Sequence, residues 1–115
     1  MARLDVNIVT SLVGAGLEQE AKILREVLAA QDIYTVFIHY TNLANATMVR
    51  ADINIFFEVI APPVLSLSRE NWFVPNCEWY DAKIDRYLNQ FTRILCKTRH
   101  CYEIWCAKVG TAKCT

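Results

Sequence analysis

Three polar clusters interrupt the apolar middle of this chain, and they carry the side chains best suited to chemistry. Glu58 lies inside the run from Ile53 to Ile60, just before Ala61-Pro62-Pro63. Pro75-Asn76-Cys77-Glu78-Trp79 follows Trp72-Phe73-Val74, and Lys97-Thr98-Arg99-His100 follows Ile94-Leu95-Cys96. A carboxylate in apolar surroundings is rare unless paired or functional. Glu58 is therefore either a binding group in a crevice or the partner of Arg69, Arg99 or a backbone amide. Asn76 can hold a tight turn. With Glu78 and Trp79 close behind, it belongs either to a ligand edge or to a capped, packed loop. Thr98 is a natural N-cap. Lys97 and Arg99 beside a helix N-terminus would favour an anion, and the plainer reading makes them a solvated helix face.

Other chemistries fit the spacing poorly. Gly14-Ala15-Gly16 after the first apolar run suggests a tight turn near a ligand, with Gly14 and Gly16 at a substrate edge. A nicotinamide dinucleotide site is not expected, because Gln19 stands at the third glycine position and no acid closes the second strand. Glu18 and Glu20 would suit a helix dipole there but repel a phosphate. The eight-residue offsets of Glu18 and Glu26, and of Glu70 and Glu78, match a spacing found in some sugar transferases. Seven glutamates make such pairs expected by chance. His39 and His100 form no ligand cluster, and no nucleophile–base arrangement follows from the spacing. The five cysteines contain no C-x-x-C, so neither zinc nor a thioredoxin-like motif is expected. Cys96 reads as a small buried hydrophobe. No cofactor and no metal are expected.

The elements that must position these groups alternate. Residues 6–10 read as a strand, 11–16 as a loop, and the stretch from 17 to about 30 as a helix. Leu17, Ala21, Leu24 and Leu28 fall on one face of that helix; Glu18, Lys22 and Glu26 fall on another. Residues 34–40 are a second strand, 41–50 a polar connection and 52–60 a third strand, stopped by Pro62-Pro63. A short helix over 64–70, a strand over 71–75 and a helix from Asp81 follow, with Ile84, Tyr87, Leu88 and Phe91 as the buried stripe. A fifth strand covers 93–97 and a last helix 99–108. Residues 109–115 read as a connection that leads nowhere. Continuous apolar runs alternating with helices predict a parallel, Rossmann-like α/β sheet of about five strands with helices on both faces. The expected order is 2-1-3-4-5, with a strand at 46–49, between the second and third, as the alternative. In such sheets ligands sit outside the carboxyl ends of the strands. Glu58, Asn76, Glu78, Lys97, Thr98 and Arg99 should then line one crevice.

At 115 residues the chain is a single domain, residues 1–115. It is 54% hydrophobic and 21% charged, enough for a sizeable core. Twelve basic and twelve acidic residues cancel, which argues against a general nucleic-acid binder. Five of the basic residues (Arg93, Lys97, Arg99, Lys108 and Lys113) face one acid, Glu103, after position 92. Such an end can favour phosphate or an anionic membrane surface. No signal peptide is read, and no stretch approaches the roughly 20 apolar residues of a membrane span. The cysteine usage points to a reducing, cytoplasmic setting.

Asp52-Ile53-Asn54-Ile55-Phe56-Phe57-Glu58, Phe73-Val74-Pro75-Asn76-Cys77-Glu78-Trp79 and Ile94-Leu95-Cys96-Lys97-Thr98-Arg99, in that order, resemble the amino-terminal half of GT-B-type glycosyltransferases similar to family 4 (group 1). The resemblance covers about residues 4–109. It implies a Rossmann-like domain that holds a carbohydrate or glycan acceptor. A second such domain would bind the nucleotide-sugar donor. By that resemblance the chain stops at Thr115 before the amino-terminal domain itself would finish, so it is expected to be a truncated form of it, and before the donor domain would begin; the family's donor-site carboxylates have no counterpart in it. The resemblance therefore implies an acceptor half that is inactive by itself. A non-catalytic binding domain of the same fold is the competing expectation. The apolar fifth strand and Trp105 add the expectation of a homodimer, or of a donor-domain partner, at that edge.

Overall fold

The computed structural model describes residues 4–10, 15–39, 50–76 and 82–115. Five strands form one sheet: β1 (Asp5–Thr10), β2 (Tyr34–His39), β3 (Ala51–Phe57), β4 (Ser68–Val74) and β5 (Arg93–Ile94). Every pairing is parallel and the order is β2-β1-β3-β4-β5, as the alternation of elements predicts. The alternative strand at 46–49 lies outside the described residues. Helix α1 (Ala15–Ala30) joins β1 to β2, and α2 (Arg99–Val109) follows β5.

The handedness of parallel crossovers divides the two faces. The step from β1 to β2 runs toward one edge of the sheet, and each later step runs back the other way. Among the described residues α1 therefore has one face to itself. Its Ala21, Leu24 and Leu28 pack on Val6, Ile8, Ile53 and Ile55. The opposite face holds Val9, Ile38, Phe56, Phe73 and Ile94 beneath α2 and two 3₁₀ segments, Pro62–Leu67 and Ala82–Gln90. Phe91 is the centre of that layer. Its ring meets Phe56 edge-on at 5.6 Å and lies 5.3 Å from Phe73, which in turn meets Trp105 at 5.7 Å.

A row of asparagines crosses this second face. Asn7, Asn54 and Asn71 are in register on β1, β3 and β4, and all three are buried. Asn7 Nδ2 donates to Asn54 Oδ1 at 3.0 Å, and Asn54 Nδ2 donates to Asn71 Oδ1 at 2.9 Å. The row also binds the first 3₁₀ segment. Asn54 Nδ2 donates to the Val64 carbonyl at 2.8 Å and Asn71 Nδ2 to the Leu65 carbonyl at 3.1 Å. Buried amides are tolerated because their bonds are made this way.

Several local expectations need correction. The helix expected over 64–70 starts earlier, at Pro62, because proline lacks the donor that a first helical turn does not use. It is 3₁₀ and stops at Leu67, so Ser68 to Glu70 belong to β4. Their polar character hid the strand, yet Arg69 pairs with Asp52 at 3.0 Å and Asn71 completes the asparagine row. The helix expected from Asp81 is described from Ala82 and is also 3₁₀. Ile84 with Tyr87, and Leu88 with Phe91, recur every three residues, which suits three residues per turn. The third strand ends at Phe57 rather than at residue 60, and Gly16 lies within α1 rather than in a loop.

The end of the chain departs most from expectation. Residues 111–113 turn, and the next two return to β5. Ile94 N–H donates to the Lys113 carbonyl at 2.8 Å, Thr115 N–H to the Ile94 carbonyl at 2.9 Å, and Cys96 N–H to the Thr115 carbonyl at 2.9 Å. Cys114 stands opposite Ile94 in a parallel bridge. Trp105 is 2% exposed within its own chain. Both grounds for expecting a partner at this edge, the unpaired strand and the uncovered tryptophan, are thus met internally.

Candidate functional site

The carboxyl ends of β3, β4 and β5 bring three of the expected residues together. Glu58 follows β3, and its backbone is left-handed at φ 62°, uncommon for a side chain of this kind. The Val59 N–H donates to the Phe57 carbonyl at 2.7 Å, which closes a three-residue turn around Glu58. Turns of this kind with positive φ are rare and strained. A second bond, from Glu58 N–H to the Val74 carbonyl at 2.8 Å, holds the turn against β4. The turn points the carboxylate across the edge. Asn76 Nδ2 donates to Glu58 Oε1 at 2.8 Å, and Lys97 Nζ donates to Glu58 Oε2 at 3.3 Å. Neither Arg69 nor Arg99, the partners weighed from the sequence, takes that place.

Glu20 completes the group. It sits on α1 and accepts from Lys97 Nζ at 3.0 Å. The sequence marks Glu20 only as an acid in the first helical turn, so its role in the site was missed. Two carboxylates thus hold one ammonium. Burial works to lower the Lys97 pKa, but the hydrogen bond to Glu20 and the charges of Glu58 and Glu20 outweigh it and hold the ammonium above its ordinary value. Glu58 is the most enclosed of the three, with 17% of its side chain exposed.

Behind this polar group lies a cleft of about 350 Å³. Ile23, Leu24 and Val27 of α1 form one wall, and Phe57, Val74 and Leu95 of the sheet form the floor. Glu20 and Lys97 stand at its mouth. Among the described residues α1 alone covers this face, and the cleft lies between it and the β4–β5 side. Ile23 and Val27 are half exposed, at 50% and 56%, off the stripe that packs on the sheet. That second apolar stripe on α1 was the sequence signal for the wall. A largely apolar concavity with a few convergent polar groups is the usual form of a small-molecule site.

Thr98 and Arg99 have structural partners of their own. Thr98 Oγ1 accepts from Cys101 N–H at 3.1 Å and caps α2, as expected. Arg99 Nε pairs with Glu103 Oε1 one helical turn on, at 3.4 Å, in full exposure to solvent. Both line a second, more polar cleft of about 580 Å³, with Cys96, Lys97, Tyr102 and Thr115. Lys97 borders both clefts. Gly14 and Glu78 lie outside the described residues, and Gly16 sits in the first turn of α1, among residues whose side-chain surroundings are not described.

Among the described residues no helix is long and apolar enough to cross a membrane, and no group of three or more His, Cys, Asp or Glu is placed to hold a metal ion. Compared with protein-family models, with curated proteins and with solved structures, the chain matches none.

Proposed function

We propose that this chain is the acceptor-side half of a glycosyltransferase, holding a hydroxyl-bearing acceptor in the cleft beside α1 while a second domain supplies the nucleotide-sugar. The observation that carries this reading is the convergence of Glu58, Asn76 and Lys97 at one sheet edge, where Lys97 also lines an apolar-walled cleft. Carboxylate and amide oxygens accept hydrogen bonds from sugar hydroxyls, and the ammonium donates to ring or hydroxyl oxygens. The apolar wall suits the carbon face of a sugar or an apolar aglycone. Two of the three segments that resemble GT-B glycosyltransferases supply Asn76 and Lys97, and the third supplies Glu58. Transfer would set an acceptor hydroxyl against the anomeric carbon, with proximity and exclusion of water as the chain's contribution.

A second reading, a binding domain that catalyses nothing, draws on one observation. Both oxygens of Glu58 are already engaged, by Asn76 and Lys97, which suits a group that positions rather than one that takes a proton.

Titration calorimetry with alkyl glycosides and with the matching free sugars tests the shared part of both readings. Alkyl glycosides should bind, and Glu58→Gln should weaken them about tenfold, the loss of roughly one charge-assisted hydrogen bond. Binding that ignores Glu58→Gln would remove the site. Nucleotide-sugar turnover then separates the readings. The chain alone should transfer no sugar, because the donor domain would supply the stabilisation of the leaving phosphates. Turnover that appears on adding a donor domain supports the transferase half. Turnover by this chain alone would overturn the division of labour.

A further inference from the structure

The cleft beside α1 is more apolar than an acceptor hydroxyl alone requires. Ile23, Leu24, Val27, Phe57, Val74 and Leu95 line it, and only Glu20 and Lys97 bring charge to it. Ala21, Leu24 and Leu28 are the residues that hold α1 on the sheet. Ile23 and Val27 lie off that stripe and are half exposed. They shape a wall while adding little to the packing of the helix. Apolar surface left in contact with water favours a ligand that covers it. At about 350 Å³ the cleft stands at the small end of the usual range for small-molecule sites, roughly 300–1,000 Å³. That suits one alkyl chain rather than the two of a bilayer lipid.

The hydrogen-bond inventory at the mouth selects the head group. Lys97 Nζ has three hydrogens and gives two of them to carboxylates, to Glu20 Oε2 at 3.0 Å and to Glu58 Oε2 at 3.3 Å. Among the described residues Glu20 is engaged through Oε2 alone. Both Glu20 and Lys97 are partly exposed. The mouth therefore offers one acceptor, Glu20 Oε1, beside one donor, the third hydrogen of Lys97. A hydroxyl satisfies both, since it donates its hydrogen and accepts on its oxygen. A phosphate or carboxylate satisfies only the donor, and it meets two carboxylates against one ammonium. An amine in its charged form satisfies only the acceptor and is repelled by Lys97.

We propose that the cleft is a subsite for one alkyl chain, and that its ligand is a neutral, hydroxyl-headed amphiphile bound as a single dispersed molecule. Its chain lies between the Ile23 and Val27 wall and the Phe57, Val74 and Leu95 floor, with its hydroxyl against Glu20 Oε1 and Lys97 Nζ. Glu20 then determines head-group specificity, and Glu58 holds Lys97 in place from behind. That this hydroxyl receives a sugar rests on the acceptor reading above; the alkyl subsite rests on the cleft itself.

Calorimetry on the whole chain tests this with alkyl glucosides of increasing chain length, each below its micelle-forming concentration. Affinity should rise about fourfold per added methylene and level off once the chain outgrows the cleft. Val27→Trp and Ile23→Trp, both at half-exposed positions, should bring that plateau to shorter chains. Alkyl phosphates of equal length should bind about tenfold more weakly than the glucosides, and Glu20→Lys should remove the difference. Affinity that ignores chain length, a plateau that neither tryptophan moves, or phosphates that bind as tightly as glucosides would overturn the assignment. Binding seen only with micelles or lipid vesicles would overturn it as well. So would self-association that Val27→Trp abolishes in a chain that binds no alkyl ligand, which would give the cleft to a second copy. Failure of the acceptor reading is distinguishable. Plain alkyl alcohols that match the glucosides at every length, with no effect of Glu58→Gln, would support the alkyl subsite and remove the sugar acceptor. Glucoside binding that needs Glu58 but ignores chain length would support the acceptor and overturn the alkyl subsite.

Discussion

At the scale of single residues, the decisive side chains are those whose partners come from other strands. Asn54 illustrates this. It makes three buried hydrogen bonds, to Asn7, to Asn71 and to the Val64 carbonyl. Asn54→Ala removes all three and should cost on the order of 3 kcal/mol, because buried polar groups then lack partners. Urea unfolding measures it, and a loss below about 1 kcal/mol would show that water replaces the row without penalty. Cys114 and Lys97 are two of the groups that shape stability at alkaline pH. Burial, with Cys106 and Cys96 as partners, holds the Cys114 thiol up to about 12, and Glu20 and Glu58 hold Lys97 above its ordinary value against the opposing effect of burial. Both folded-state values lie above those of the unfolded chain. Their contributions are therefore complete below the unfolded values, about 8.5 for a thiol and about 10.4 for lysine, and are lost as pH rises through the folded ones. Stability should fall from about pH 9 toward pH 12, and Cys114→Ser should flatten the start of that fall. Urea midpoints that stay level from pH 8 to 11 in the parent chain would contradict this.

At the scale of elements, legibility followed local periodicity. Helix α1 and its Ala21, Leu24 and Leu28 face were readable because helical spacing is a property of neighbours in sequence. The start of β4 was not, since Ser68, Arg69 and Glu70 look like a loop until Asp52 and Asn54 lie beside them. The returning segment after α2 was missed for the same reason: two or three residues carry no period of their own. It depends on Gly110, which ends α2 at φ 93° and ψ 155°, a region that side chains rarely adopt. A Cβ placed on Gly110 would meet nothing within 4 Å. Gly110→Ala therefore isolates conformational strain from crowding, and it should destabilise the chain by about 1–2 kcal/mol. A neutral effect in thermal or urea unfolding would show that the turn relaxes easily and that the segment is only loosely held.

At the scale of the molecule, the sheet edge at β5 and the burial of Trp105 both depend on residues 111–115. Truncation after Gly110 would unpair Ile94 and Cys96 and strip Cys114 from the core around Trp105. Unpaired edges and newly exposed apolar patches invite association. The truncated chain should self-associate with rising concentration in sedimentation runs, at concentrations where the whole chain does so less. Equal behaviour of the two would mean that the segment does not guard the edge. The sequence by itself determined the parallel α/β sheet, because apolar runs alternating with helical spacing imply βαβ units; it left the strand order as an expectation with an alternative, which the packed sheet decided. It also placed Glu58, Asn76 and Lys97 at one edge, since parallel strands share a carboxyl end. Only the tertiary structure decided that Glu20 joins them from 77 residues away and that asparagines 47 and 17 residues apart form one row. It alone returned Cys114 and Thr115 to the edge of β5. Those outcomes depend on which faces and ends the packed sheet brings into contact, and no pattern among neighbouring residues encodes them.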